Sequence, residues 1–81
     1  MTVNAIARID SITIQTNEYI VSPYYFATDG TNTFEGSSSA EIPFSWGAKR
    51  VNRFIRERTA AAILAAYSLT IDPEDIYFPL F

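Results

Sequence analysis

Apolar and polar residues alternate with a period of two through the first half of the chain, and the pattern then changes to a helical one. Val3, Ala5, Ala7 and Ile9 alternate with Asn4, Ile6, Arg8 and Asp10, as in a strand with two unlike faces. After Ser11, Ile12 and Ile14 continue on the opposite parity. Both sets can share a face only if an extra residue intervenes, so the pattern predicts a bulge or break near Asp10 and Ser11, with two-sided burial as the alternative.

Asn17 and Glu18 offer a turn before Tyr19, Ile20 and Val21, and Tyr24, Tyr25 and Phe26 resume an extended stretch across Pro23. Proline lacks the donor that a central ladder requires, so Pro23 is expected at an edge, a bulge or a strand boundary. Asp29-Gly30 is the clearest hairpin signal, because glycine tolerates the positive φ of a tight turn. Thr31 to Glu35 should return antiparallel to Tyr24 to Ala27. Gly36 to Ser39 reads as a loop or irregular edge, and Ala40 to Phe44 as a further short strand.

From residue 45 to 67 the period becomes helical. Ser45 is the expected N-cap, with Phe44 placed to begin a hydrophobic staple, and the helix runs from Trp46 to about Ala66 or Tyr67. At about 100° per residue, Ala48, Val51, Phe54, Ile55, Ala62, Ala65 and Ala66 gather on one side, the face expected against a sheet. Lys49, Arg53 and Arg56 lie opposite. The second half, Ala60 to Tyr67, is apolar around its whole circumference, and Ile63 and Leu64 point away from the main stripe. Such a helix is ordinarily covered on more than one side, here by the C-terminal tail, a second chain or both.

Asp72-Pro73-Glu74-Asp75 has the form of an N-cap, a proline at the first helical position and acids in the first turn. Ile76 to Phe81 then forms an apolar tail able to add an edge strand. The fold class that follows is α+β in one domain: a three- or four-stranded, mainly antiparallel meander over residues 1–44, a long helix over 45–67, and a capped turn with an apolar tail over 68–81.

Composition narrows the function. Eighty-one residues leave room for one core, and with 48% hydrophobic and 19% charged residues the chain lies outside the disordered regime. With no cysteine and no histidine, disulfides, thiol nucleophiles, Cys/His zinc sites and imidazole bases are excluded. Met1 leads directly into alternation, which predicts no signal peptide. The charge-free stretch Thr59 to Ile71, 13 residues long, is shorter than the roughly 20 a membrane span needs, so a soluble protein, cytoplasmic or virion-associated, is expected.

Charge is unevenly spread. Residues 1–45 carry Arg8 against five acids for −4, Trp46 to Ala66 carries five cations against Glu57 for +4, and Asp72, Glu74 and Asp75 add −3. Lys49, Arg50, Arg53 and Arg56 are thereby candidate contacts for an anionic partner, whether nucleic-acid backbone or an acidic protein surface, although a solvated face is the simpler account. Arg58 falls near the apolar stripe and is expected to snorkel to the sheet edge or meet Glu41. Asp72, Glu74 and Asp75 lack the spacing of a calcium loop and are explained by capping. Tyr19, Tyr24, Tyr25, Phe26 and Phe34 lack the interleaved cations of a single-strand platform, and Gly30, Gly36 and Gly47 are too scattered for a phosphate loop.

No catalytic, cofactor-binding or metal-ligating set can be named, and no cofactor is expected. The function expected is a non-enzymatic structural or assembly subunit that self-associates or sits in a larger protein complex, a virion component being one form. Its interface would use Ile63, Leu64, Tyr67, Tyr77, Phe78 and Phe81. The rivals are an adaptor or inhibitor docking on another protein, and an accessory nucleic-acid-binding module using the basic helix face; membrane association is not expected.

Overall fold

A computed structural model describes residues 4–78. Its elements are β1 (Asn4–Ile14), β2 (Glu18–Thr28), β3 (Thr33–Ser37), β4 (Ala40–Pro43), α1 (Ala48–Tyr67), a 3-10 turn (Pro73–Asp75) and β5 (Ile76–Tyr77). The fold is α+β: a mostly antiparallel sheet covered on one face by one long helix in the C-terminal half. The sheet is ordered β3-β2-β1-β5, with β4 also paired to β2. The expected places of Val3 in the first strand and of Leu80 and Phe81 in the tail lie outside the described residues.

The change of parity in β1 is a bulge. The register with β2 runs from Asn4↔Thr28 to Ile9↔Pro23, slips by one, and resumes at Ser11↔Ser22. Asp10 is the inserted residue, and Pro23 stands opposite the disturbed point, where a missing donor costs least. On its other edge β2 is shared by two strands. β3 pairs with Tyr24 to Thr28 and β4 with Glu18 to Val21. Ser38 bridges the change of partner by donating its N–H to Pro23 O at 2.9 Å.

The β2–β3 connection follows Asp29-Gly30. Gly30 adopts φ 95°, and the Asp29 carboxylate accepts from the N–H groups of Asn32 (2.7 Å) and Thr31 (2.9 Å). Those bonds to the ionised form, Asn32's first, hold the Asp29 pKa below its usual 3.8. The loop spans residues 29–32, so the return strand begins at Thr33, not Thr31.

α1 begins two residues later than the sequence suggests. Phe44 and Ser45 lie in a turn closed by Trp46 N–H to Pro43 O, and the N-cap position falls to Gly47, without a side-chain cap. At the other end Ser68 takes a left-handed conformation (φ 56°) and donates its N–H to Leu64 O at 2.8 Å.

The buried row of α1 is Val51, Ile55, Thr59 and Ile63. Val51 and Ile55 match the predicted stripe, whereas Ala48, Ala65 and Ala66 are exposed. Ile63 is fully buried, contrary to the reading that it points away from the core. The cause is geometric: steps of four residues advance by about 40° each, so this row winds around the helix as a ridge instead of a straight stripe. Covering each isoleucine contributes roughly 1.5–3 kcal/mol. Around the row gather Ala5, Ala7, Val21, Tyr25, Ala27, Ala40 and Ile42 from the sheet, with Ile71, Ile76 and Phe78 from the tail.

The tail closes the sheet on its far side. Asp72 caps the 3-10 turn by accepting the Glu74 N–H at 3.0 Å, and Pro73 opens it. Ile76 and Tyr77 then pair in parallel with Ala5 and Ile6.

Candidate functional site

The sequence-predicted interface residues divide between core and surface. Ile63 and Phe78 are core residues, so neither is available to a partner in this fold. A helical-wheel stripe misplaced Ile63, and β5 carries Phe78 under the sheet. Leu64 and Tyr67 remain about half exposed, but Tyr67 already works within the chain. Its ring meets Phe34 edge-on at 4.9 Å, its hydroxyl donates to Glu35 O at 2.6 Å, and the Tyr25 phenol bonds to it. Burial first, and then Tyr67, push the Tyr25 pKa above its usual 10.0. Tyr67 thus ties the end of α1 to β3. Tyr77 is 62% exposed, and Phe81 lies outside the described residues.

Two of the basic residues are engaged within the chain. The Arg50 guanidinium stacks over Trp46 at 4.1 Å, and Arg53 pairs with Glu57 at 3.2 Å. Lys49, Arg53 and Arg56 do line a groove of about 810 Å³ between α1 and the 3-10 turn. The same groove is lined by Glu57, Asp72 and Glu74, which balance the three cations with three acids. Such a surface has little field with which to attract a polyanion. Arg58 reaches the sheet edge as expected, but its partner is Ser39 O at 2.7 Å, not Glu41. Among the described residues no group of three or more acidic side chains is placed to hold a metal ion, and no helix is long and apolar enough to cross a membrane.

The most distinctive surface is one the sequence reading did not name. With α1 on the face that carries Ala5, Ala7, Tyr25 and Ala27, the opposite face of the sheet is uncovered. There the strand register aligns Tyr77 with Ile6, Ile6 with Phe26, and Phe26 with Glu35. Tyr77, Ile6 and Phe26 form an apolar row across three strands, each at least two-fifths exposed. They border a shallow depression of about 370 Å³ with Asn4, Thr28 and Asp75. The next row holds Arg8, whose guanidinium lies 4.9 Å from the Tyr24 ring centre. The Tyr24 hydroxyl donates to Glu35 Oε1 at 2.7 Å, and this bond holds the Tyr24 pKa above its usual 10.0. An apolar row is therefore rimmed by the Arg8 cation and by the carboxylates of Glu35 and Asp75.

A second apolar surface lies at the far end of β1. Ile12 and Ile14 stand opposite Val21 and Tyr19, on the face that α1 covers elsewhere, yet they are 59% and 77% exposed. The main strand contacts of α1 are with β2, β3 and β4. The signal for both surfaces was present in the sequence. Ile6 is apolar on the otherwise polar parity of β1, and Ile12 and Ile14 follow the bulge.

The described residues thus define a class: an α+β fold with one long helix on a five-stranded sheet, whose other face bears an in-register apolar row. Comparisons with protein-family models, curated proteins and solved structures find no match for this chain.

Proposed function

We propose that the chain is a non-enzymatic structural or assembly subunit that works through protein contacts, associating with itself or taking a place in a larger complex such as a virion. The observation that carries this reading is the row Tyr77, Ile6 and Phe26 on the uncovered sheet face. A sheet packed on one side only normally shows polar residues on the other, and a contiguous apolar row with a charged rim has the anatomy of an interface. Tyr77 is the one residue of the expected interface that lies on this face, and Ile6 and Phe26 join it there.

The test is solution mass by light scattering over a dilution series from micromolar to near-millimolar concentration. Wild type is expected to exceed monomer mass at the upper end. Phe26→Glu should lower the mass without changing the circular dichroism, because association would carry a carboxylate away from water. A wild type that stays monomeric throughout would refute self-association.

A further inference from the structure

Beyond Ile6 the outer edge of β1 has no strand partner among the described residues, since β5 pairs only with Ala5 and Ile6. Natural edge strands are usually blunted by charges, proline or a bulge. Here the bulge lies at Asp10, and from Ser11 to Asn17 the chain carries neither charge nor proline. The same stretch holds Ile12 and Ile14, the latter the most exposed of the large apolar side chains. Among the described residues, a row of backbone donors and acceptors without strand partners thus runs beside two exposed isoleucines.

We propose that this edge, Ser11 to Ile14, pairs antiparallel with the same edge of a second copy across a two-fold axis at Thr13, joining two sheets into one. The inference rests on the proposal that the chain associates with itself and adds a second contact surface to the sheet-face row. Pairing about Thr13 sets Ile12 of each strand opposite Ile14 of the other, on the same face, so four isoleucines close over one another. Charge also fits this direction. Antiparallel pairing carries the Arg8 end of one strand toward the hairpin turn of the other copy, where Glu18 is the first charged residue. In this register Asp10 falls opposite Thr16, and Arg8 lies beside it at 3.9 Å. No like-charged pair is forced together along the paired segment.

Area sets the strength. Ile12 and Ile14 together expose on the order of 250 Å² per copy, well below the roughly 800 Å² a partner contributes to a standard interface. Strand backbone and the neighbouring threonine and serine side chains add to this, so the contact is reversible and concentration-dependent instead of permanent.

Because the chain has no cysteine, one substitution reports the register directly. Residues on the axis of an antiparallel pair stand about 4.5–5.5 Å apart at Cα, within the range of a disulfide. Thr13→Cys should therefore form a covalent dimer under mild oxidation about tenfold faster than Thr31→Cys, an exposed control in the β2–β3 loop. Ile14→Lys should remove that advantage when combined with Thr13→Cys. If wild type is heavier than a monomer but Thr13→Cys crosslinks no faster than the control, the edge pairing is wrong and self-association through another surface stands. If wild type is monomeric up to near-millimolar concentration and the two cysteine variants crosslink alike, both proposals fall.

Discussion

Gly36 sits directly opposite Tyr25 in the β2–β3 ladder, and the buried Tyr25 ring lies across the space a side chain would need. A Cβ built at Gly36 would come within 2.5 Å of the Tyr25 hydroxyl oxygen, 2.7 Å of Cζ and 2.9 Å of Cε2. The ring cannot swing aside freely, because its phenol is bonded to Tyr67, which in turn holds Glu35 O. Gly36→Ala is thus an overpacking change of the kind that costs about 1–3 kcal/mol, offset by about 0.5 kcal/mol from the lower entropy of the unfolded chain. A net loss of about 1.5 kcal/mol is expected. For 81 residues total stability is about 4–12 kcal/mol, so the variant should still fold. With a urea m-value of about 1 kcal/mol/M, the midpoint should fall by about 1.5 M. Tyr25→Phe alone should cost about 1 kcal/mol through its lost hydrogen bond, but it removes the closest clash, so the double variant should be more stable than the two losses added together. A midpoint for Gly36→Ala within about 0.5 M of wild type, or strict additivity in the double variant, would show that the ring does not occupy that space.

Gly30→Val places a β-branched residue at φ 95° and should lower stability by about 1–3 kcal/mol in the same urea melts. Thr59→Val removes a buried hydroxyl that has no hydrogen-bond partner among the described residues and should raise stability by about 1 kcal/mol, seen as a melting temperature higher by about 4–8 °C. Ser68→Gly relieves the left-handed residue at the end of α1 and should add about 0.5–1 kcal/mol by chemical denaturation. Asp29 has a folded pKa below 3.8, so its contribution is present above that value and is lost as pH falls through the lower folded value. Asp29→Asn should consequently flatten the acid side of a stability-versus-pH curve below about pH 4, and an unchanged slope would contradict the assigned hydrogen bonds.

The features legible in the sequence share a local cause. The bulge follows from a parity change between Ile9 and Ile12, the hairpin from Asp29-Gly30, and the 3-10 cap from Asp72-Pro73, each set by residues within a few positions of one another. Misreadings arose where a distant partner decides. Ser45 has the chemistry of a cap, but the turn that follows β4 takes it and leaves Gly47 at the helix start. Ile63 and Thr59 are buried because the row of contact winds along α1, which no fixed wheel represents, and alanines carry little information about which way a helix faces. The exposure of Ile12 and Ile14 depends on which strands α1 packs against. The partners of β5 were equally hidden, since its two residues name an edge strand without naming its neighbour.

The parallel pairing of β5 with Ala5 and Ile6 has a kinetic consequence. It joins the first and last described strands, so it closes the longest loop in the fold, whereas β1–β2 and β2–β3 are neighbouring hairpins whose loops are short. The three-stranded hairpin unit is thus free to assemble early, with β5 docking late and leaving first. Amides of β5 should exchange with solvent through partial opening, well before those at the centre of β2. Each such opening uncovers Ile76 and Phe78 and extends the bare edge of β1 back toward Asn4. The two-residue strand acts as a latch whose departure would make transient, irregular sheet growth a hazard at high concentration.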